Sequence, residues 1–224
     1  MTVIAHIEND LGTKFGVPRQ SGLVDSLQSH IVFEPEYRNA DALRGLEGFS
    51  HLWLLWDFTE AHRHEWSPTV RPPRLGGNQR MGVFATRSPF RPNPIGLSSV
   101  RITSIDLHTS QGPIIHVAGA DLMNGTPIWD IKPYLPFTDC HPEATSGFAE
   151  VTARQKPLAV AGMERLEELF TAQQIDTIRE LLAADPRPHY QDDPERRYGM
   201  TFAGHDIHFR IEDGIIHVMP PAAE

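Results

Sequence analysis

Several features that would restrict the function of this 224-residue chain are scarce or missing. It has one cysteine, Cys140, which excludes an internal disulfide and a zinc site built from several thiolates, so a reducing location is expected. No apolar stretch approaches the length that a membrane-spanning helix needs, and the N-terminal residues MTVIAHIENDLG are too polar for a secretory signal. We therefore expect a cytoplasmic protein without a membrane segment.

Motifs of the common cofactor-binding folds are also missing. No G-x-G-x-x-G follows a strand pattern and there is no P-loop, so neither a Rossmann dinucleotide site nor a conventional methyltransferase site is supported. His62 and His64, and likewise His205 and His208, have the spacing of metal ligands but lack a third ligand, so no metal site is expected. Ser88 has no nucleophile-elbow context, which disfavours covalent catalysis.

Acidic residues outnumber basic ones by 29 to 20, yet the charge is unevenly distributed along the chain. Residues 61–101 contain seven arginines, no lysine and one acid, Glu65, which leaves 13 basic and 28 acidic residues elsewhere. Such asymmetry is typical of a polyanion site on an acidic body, and planar guanidinium groups favour phosphate recognition. The arginines could instead neutralise acids elsewhere on the same fold.

The loop Arg87–Pro94 in this region carries three prolines in eight residues. Each proline fixes its own φ and restricts the residue before it, so the backbone is rigid before anything binds. Arg87 and Arg91 supply forks for carboxylates or phosphates, and Asn93 adds an amide that donates and accepts. Taken alone, such a loop is most often a stiff surface turn. Within an arginine-rich region it predicts an anion site.

The first part of the chain predicts a mainly β fold. Short segments rich in β-branched and aromatic residues, separated by Gly, Pro, Asn and Asp, are typical of a barrel or sandwich. These segments are Thr2–Ile7, Ser29–Phe33, His51–Phe58, Met81–Thr86, Leu97–Leu107, Ile114–Ala118 and Thr126–Ile131. A short helix is predicted over Asn39–Gly45, with an asparagine cap and a glycine stop. His51–Phe58 is apolar at nearly every position, which predicts a strand covered on both faces and places Trp53 and Trp56 in the core.

The last third of the chain predicts a mixture of helices and strands. Met163–Phe170 has apolar residues at helical spacing, and a second helix is predicted from the capping-box sequence Thr171–Gln174 to Asp185–Pro186. Asp213–Gly214 between two alternating segments is typical of a hairpin. The expected domains are a β-barrel over residues 1–153 and a small α+β domain over residues 154–224.

Six motifs, in order along the chain, carry a family resemblance. They are Lys14–Gln20 (KFGVPRQ), Gly45–Trp53 (GLEGFSHLW), Val70–Gly77 (VRPPRLGG), Met81–Val100, Asn124–Tyr134 (NGTPIWDIKPY) and Asp185–Tyr190 (DPRPHY). On these motifs the chain resembles the TsaA-like (TrmO) family of tRNA adenosine-37 N6-methyltransferases. The resemblance implies a single-sheet β-barrel that binds S-adenosylmethionine without a Rossmann fold, and a homodimer. It also implies the substrate, tRNA that already carries N6-threonylcarbamoyladenosine at position 37.

The same resemblance implies which residues bind the methyl donor. An arginine suits the carboxylate of the donor, and backbone groups of a tight turn suit its adenine edge. The implied residues are Pro18, Arg19, Gln20, Thr59, Glu60, Arg87, Leu97, Asp121, Leu122, Met123, Asn124, Gly125 and Thr126. Family members often carry histidine at the position of Thr59, which departs from that pattern. Asn124–Gly125 also fits a simple hairpin turn.

Polar residues clustered in WDIKPY suggest how the acceptor is handled. Methyl transfer from a sulfonium is an in-line displacement, so the protein must align two reactants and exclude water. The acceptor nitrogen is a weak nucleophile whose proton must leave. Asp130 or Tyr134 could accept that proton, and Lys132 could stabilise negative charge on the carbamoyl oxygen. Asp130 fits a structural anchor of the loop equally well.

Two other functions fit the same residues. The barrel could methylate another RNA nucleoside or a small metabolite, because a fold and a donor site do not fix the acceptor. It could also be a non-catalytic RNA-binding barrel that uses only the arginine-rich region. The candidates for contacts to RNA phosphates are Arg71, Arg91 and Asn93.

Overall fold

The computed structural model describes residues 1–72, 75, 79–150, 156–187, 193 and 195–220. Within this part, the strands form a closed barrel, a four-stranded sheet and a two-stranded ribbon. One cluster of buried apolar side chains fills the barrel, and a second packs against the four-stranded sheet. The predicted mainly β fold with a single-sheet barrel and a small α+β part is confirmed.

Six antiparallel strands form the barrel. The strands of this part of the chain are β1 Ala5–Asn9, β2 Gln28–Phe33, β3 His51–Asp57, β4 Thr69–Val70, β5 Met81–Gly82, β6 Ile95–Thr109, β7 Gly112–Ala118 and β8 Pro127–Pro133. The barrel order is β1-β2-β7-β6-β3-β8, and β4 pairs with β5 outside it. Alternate residues point inward, so β3 buries Leu52, Leu54 and Trp56 between half-buried neighbours.

The segment Met81–Thr86, predicted as one strand, is mostly not a strand. Only its first two residues pair with β4, and a 3-10 helix follows at Val83–Ala85. Pro68 precedes β4 and Pro72 follows it closely, and proline lacks the N–H group that a longer ladder requires. The chain turns instead at Val83, whose N–H donates to the Pro68 carbonyl at 2.9 Å.

Strand β3 is not covered equally on both faces, contrary to the prediction. Trp56 is 6% exposed and belongs to the barrel core, whereas Trp53 lies on the outer face. The Trp53 indole N–H donates to Asp139 Oδ2 at 2.7 Å. The core prediction for Trp53 is wrong because a closed single sheet gives each strand only one face toward the core.

Only one described helix is longer than four residues. The 3-10 helices are Pro35–Tyr37, Ala40–Leu43, Leu46–Gly48, Thr59–Ala61, Val83–Ala85 and Met163–Leu166, and the α-helices are α1 Pro136–Asp139 and α2 Ala172–Ala183. The helix predicted over Asn39–Gly45 is present as a 3-10 turn, with the Asn39 side chain accepting the Asp41 N–H. A helix was predicted over Met163–Phe170, but only its first four residues form a 3-10 helix. The chain becomes extended at Thr171 to cap α2. Among the described residues, no helix has the length and apolar character needed to span a membrane.

The C-terminal sheet packs against α2. Its strands are β9 Ala159–Ala161, β10 Tyr198–Phe202, β11 His205–Glu212 and β12 Ile215–Val218, in the order β10-β11-β12-β9. The predicted capping box is confirmed, since Thr171 and Gln174 exchange side-chain and backbone hydrogen bonds. The predicted hairpin is confirmed too, with Asp213 and Gly214 at positive φ (50° and 74°) between β11 and β12. Strands β9 and β10 were not predicted.

The segment between β1 and β2 packs against the C-terminal sheet rather than inside the barrel. Leu11, Val24 and Leu27 are each 1% exposed and belong to the apolar cluster of that sheet. The predicted domain boundary at residues 153 and 154 lies outside the described residues. The division into 1–153 and 154–224 therefore stays a prediction, and the N-terminal part contributes to the C-terminal core.

Candidate active site

One end of the barrel holds a buried chain of polar groups. The Trp56 indole donates to Ser98 Oγ at 2.9 Å, and the Ser98 hydroxyl donates to Asp121 Oδ1 at 2.5 Å. Ser98 points inward because it alternates with the exposed Leu97 along β6. Gly96 leaves room for the indole, since a Cβ there would lie 2.1 Å from Trp56 Cε2. The Asp121 carboxylate is therefore held in one orientation.

The environment of Asp121 favours its neutral form. Burial raises the pKa of the Asp121 carboxyl above its ordinary value of 3.8, although the Ser98 hydrogen bond and the charge of Arg87 oppose this shift. The backbone N–H of Ser21 is a further donor to the carboxylate. A partly desolvated carboxylate of this kind gains strongly from a cation or a hydroxyl placed against it.

Arg87 joins the same cluster from the proline-bounded loop. Its guanidinium donates to Gln20 Oε1. The residue after Gln20, Ser21, contacts Asp121. The structure therefore brings together Gln20, Arg87 and Asp121, which are three of the residues predicted to bind the methyl donor. We call these three residues and Ser98 the Arg87 cluster.

Pro18 and Arg19 connect the Arg87 cluster to the C-terminal part of the chain. Pro18 is buried, and the Arg19 guanidinium donates to the backbone carbonyls of Asp185 (3.0 Å) and Arg187. These bonds direct Arg19 toward the first residues of the DPRPHY motif. Arg19 thus anchors the loop that carries Gln20.

The turn after Asp121 uses its backbone groups inside the protein. The N–H groups of Asn124, Gly125 and Thr126 donate to backbone carbonyls at 2.9, 2.8 and 3.1 Å. Gly125 has a φ of +78°, in agreement with the turn interpretation. Asn124 and Gly125 line a separate groove of about 680 Å³ along β1 and β2, which shares no lining residue with the Arg87 cluster. Leu122 is fully buried in the barrel core and Met123 is half-buried.

A second group of predicted residues lies on the outer face of the barrel. Leu97 pairs with Leu55 of β3, which in turn pairs with Asp130 of β8. Two strand spacings separate Leu97 from Asp130, a distance of about 10 Å. Thr59 and Glu60 are exposed in the 3-10 helix that follows β3. The register thus places Asp130 in the same row as Leu97, which is adjacent in sequence to Ser98.

Asp130 forms two hydrogen-bonded contacts with its own strand. Lys132 Nζ lies 2.8 Å from Asp130 Oδ2, and the Ile131 N–H donates to Asp130 Oδ1 at 2.9 Å. The Asp130 and Lys132 side chains are 44% and 63% exposed, so both are accessible to a substrate. An anchoring role and a chemical role are compatible, since a carboxylate has four lone-pair sites.

Tyr134 stands beside these two residues, next to Trp53. The two ring centres are 5.4 Å apart and tilted by 45°. Desolvation, and then the nearby Cys140 and Asp139, raise the pKa of Tyr134 above its ordinary value of 10.0. Hydrogen bonds from the Leu135 N–H and the Trp53 indole lower the pKa of Asp139. At neutral pH the Tyr134 phenol is therefore protonated and Asp139 is ionised.

The predicted RNA-contact residues lie on the surface around the proline-bounded loop. Arg71 and Asn93 are exposed. Arg91 donates to the Thr86 carbonyl at 2.9 Å, and its guanidinium carbon lies 5.8 Å from the centre of the Phe84 ring. Parts of two predicted motifs, namely Pro73, Arg74, Gly76, Gly77 and Pro188–Tyr190, lie outside the described residues.

The histidine pairs with metal-ligand spacing have other contacts. His62 Nε2 lies 2.7 Å from Asp57 Oδ1, and the His205 ring meets the Phe170 ring edge-on at 5.4 Å. In the part of the chain that the structure describes, there is no group of three or more His, Cys, Asp or Glu residues that could hold a metal ion.

Two residues that organise the site were not predicted from the sequence. Ser98 links Trp56 to Asp121, and Asp139 accepts the Trp53 indole. A signal for Ser98 is present, because a serine at an inward position of a β-branched strand needs a buried partner. Asp139 had no comparable signal, since its partner is 86 residues away in the chain.

Substituting Asp121 by asparagine is expected to increase the free energy of unfolding at neutral pH. The raised pKa means that the ionised form of Asp121 is less stable in the folded than in the unfolded state. Asparagine keeps an acceptor for Ser98 without the charge. The stabilising effect should decline as the pH falls through the raised pKa and disappear below 3.8, where Asp121 is protonated in both states.

Urea unfolding of wild type and variant between pH 4 and 7.5 measures this difference. Asp41→Asn is the control, since that carboxylate is 74% exposed and pairs with Arg44 at the surface. A variant that is less stable than wild type at pH 7 would show that the ionised carboxylate stabilises the fold.

Comparisons of the sequence and of the structure with known proteins find relatives of the same kind. The profile described as "tRNA-methyltransferase O N-terminal domain" matches residues 6–140, and "TrmO C-terminal domain" matches residues 151–220. A protein of Escherichia coli (strain K12) named tRNA (adenine(37)-N6)-methyltransferase is 44% identical over 94% of this chain and 92% of its own length. A Pseudomonas aeruginosa protein named putative S-adenosylmethionine-dependent methyltransferase RcsF is 37% identical over 92% of this chain and 90% of its own. The crystal structure of TrmO from Pseudomonas aeruginosa matches with a TM-score of 0.75 and 31% identity, covering 100% of this chain and 99% of that one.

Proposed function

The chain belongs to the tRNA-methyltransferase O family, and we propose that it methylates N6 of adenosine 37 in tRNA with S-adenosylmethionine as donor. We propose further that this adenosine already carries a threonylcarbamoyl group. The observation that carries the proposal is the Arg87 cluster, in which an arginine lies close to a carboxylate held in one orientation by Ser98. It provides a charged donor-binding group, and the exposed Asp130 on the outer face of the barrel provides a proton acceptor.

The Arg87 cluster fits a donor that has both a carboxylate and an ammonium group. Arg87 offers a planar fork to a carboxylate, and Asp121 offers an oriented acceptor to an ammonium or a hydroxyl. S-Adenosylmethionine, when bound, supplies a methyl group activated by its sulfonium charge. The prolines of the Arg87–Pro94 loop reduce the entropy lost when such a ligand is held.

On the acceptor side, Asp130 is the group that accepts the proton of N6. Of the two predicted bases, Tyr134 has a raised pKa and is protonated at neutral pH, whereas Asp130 is exposed and carries acceptor oxygens. As the N6–methyl bond forms and the S–methyl bond breaks, the N6 proton passes to the Asp130 carboxylate. Lys132 stabilises negative charge on the carbamoyl oxygen, and the Tyr134 hydroxyl is a further donor to that group.

The assembly and location are part of the same proposal. The enzyme acts as a homodimer, as the family resemblance implies, and it contacts tRNA phosphates through Arg71, Arg91 and Asn93. We place it in the cytoplasm, as the single cysteine led us to expect. Sedimentation velocity of the purified protein measures the oligomeric state directly.

The decisive test compares tRNA with and without the threonylcarbamoyl group. Purified protein is incubated with S-adenosylmethionine and each tRNA, and the anticodon-loop nucleosides are identified by mass spectrometry. Methylation of N6 at position 37 is expected only in the tRNA that carries the group. Equal methylation of both would contradict the proposed substrate, and no calorimetric binding of S-adenosylmethionine would contradict methyltransferase function altogether.

A further inference from the structure

Two large aromatic side chains are exposed beside the proline-bounded loop. Trp66 is 52% exposed and Phe84 is 71% exposed. Their ring centres are 6.0 Å apart and the ring planes are inclined by 31°. Covering such rings would release a large apolar area from water. An exposed aromatic pair therefore marks a surface that contacts a ligand.

The charges around this pair identify the kind of ligand. The Arg91 guanidinium carbon lies 5.8 Å from the centre of the Phe84 ring. Arg63 precedes Trp66 by three residues in the chain, and its guanidinium carbon lies 3.8 Å from the centre of another ring, that of Phe90. Glu65 is the only acid between residues 61 and 101. A ligand that suits this surface is flat, to match the rings, and anionic, to match the arginines.

We propose that Trp66 and Phe84 form a stacking platform for an unpaired nucleobase of the tRNA anticodon loop, with Arg63 and Arg91 binding the phosphates on either side of that base. Single-stranded RNA is recognised by stacking of bases on aromatic rings combined with arginine contacts. An apolar protein partner would match the rings but not the arginines. This inference rests on the proposed function and adds a base-binding surface that is separate from the methyl-transfer residues.

The fold keeps the platform close to the Arg87 cluster. Phe84 precedes Arg87 by three residues, so their Cα atoms are separated by at most about 11 Å of chain. The β4–β5 pairing and the bond from the Val83 N–H to the Pro68 carbonyl (2.9 Å) hold the Trp66 segment next to the Phe84 segment. The platform is therefore close to Arg87, one of the proposed donor-binding residues.

Two substitutions of Trp66 separate stacking from general apolar contact. Trp66→Leu keeps an apolar side chain but removes the flat ring, whereas Trp66→Phe keeps a ring. The probe is an anticodon stem–loop RNA, with binding measured by fluorescence anisotropy and KM measured with full-length tRNA. Trp66→Leu should weaken RNA binding about tenfold or more, and Trp66→Phe should retain affinity within about threefold. Calorimetric affinity for S-adenosylmethionine should not change in either variant.

Leu107→Ala is the matched control, because Leu107 is another exposed apolar residue (42%) and lies near the C-terminal end of β6, outside the platform. It should bind RNA like wild type. Unchanged RNA binding by Trp66→Leu would overturn the platform. Dissociation of a wild-type dimer by Trp66→Leu, with unchanged RNA affinity per subunit, would overturn it too and assign the aromatic pair to contacts between copies of the chain.

The platform and the proposed function fail in different ways. If wild type methylates tRNA and Trp66→Leu does so with the same KM, the platform is wrong and the enzymatic function stands. If wild type binds the stem–loop in a Trp66-dependent manner but methylates no tRNA, the proposed function is wrong and the platform stands.

Discussion

Substitution of Arg87 by alanine is expected to weaken the binding of S-adenosylmethionine about 100-fold, or about 3 kcal/mol. Arg87 is the cation of the Arg87 cluster, and its guanidinium is held toward Gln20. Its charge also opposes the effect of burial on Asp121, so its loss raises the pKa of that carboxyl further. The variant therefore loses the carboxylate partner and leaves Asp121 less able to bind a cation.

Isothermal calorimetry of the full-length protein measures this loss. Arg87→Lys keeps the charge without the planar fork and should bind with intermediate affinity. Arg179→Ala is the control, since this arginine pairs with Asp176 on the exposed side of α2. Donor affinity within threefold of wild type for Arg87→Ala would contradict a donor-binding role for the cluster.

Asp130→Asn is expected to reduce kcat about 100-fold or more, because it removes the proton acceptor while keeping the shape of the side chain. Donor affinity should stay unchanged, since Asp130 lies about two strand spacings from Leu97 and outside the Arg87 cluster. Thermal stability should change little, because the Asp130–Lys132 ion pair is largely exposed. Single-turnover methylation of tRNA under saturating donor isolates the chemical step.

Glu212→Gln provides a matched control for this substitution. Glu212 and Arg210 form an ion pair two residues apart on the exposed face of β11, and Asp130 and Lys132 form one with the same spacing on β8. The control should methylate at the wild-type rate. If Asp130→Asn methylated at the wild-type single-turnover rate, Asp130 would not be the proton acceptor. Its role would then be the structural anchor that the sequence also allowed.

Most of the fold follows from short-range patterns. The capping box at Thr171 and the turn at Asp213–Gly214 were predictable, because both depend on residues within four positions of one another. The strand predicted over Met81–Thr86 was wrong because its possible partner is flanked by prolines. Strand pairing depends on the partner as well as on the strand's own residues.

The candidate site was predictable only in part. Residue types and the family resemblance pointed to Gln20, Arg87 and Asp121, and these three do lie together. Ser98 was not predicted, although it determines the orientation of Asp121. The aromatic pair was missed as well, because the exposure of Trp66 cannot be read from its neighbours in the sequence.

The sequence by itself determined the charge distribution, the rigid arginine loop and the succession of short β segments that form the barrel. These depend on composition and on contacts between residues that are close in the chain. Only the tertiary structure decided that Leu11 and Val24 enter the C-terminal core, that Arg19 turns toward Asp185, and that Trp53 faces outward. Each of these outcomes depends on which distant surface offers burial or a free hydrogen-bond acceptor, and that surface exists only once the chain has folded.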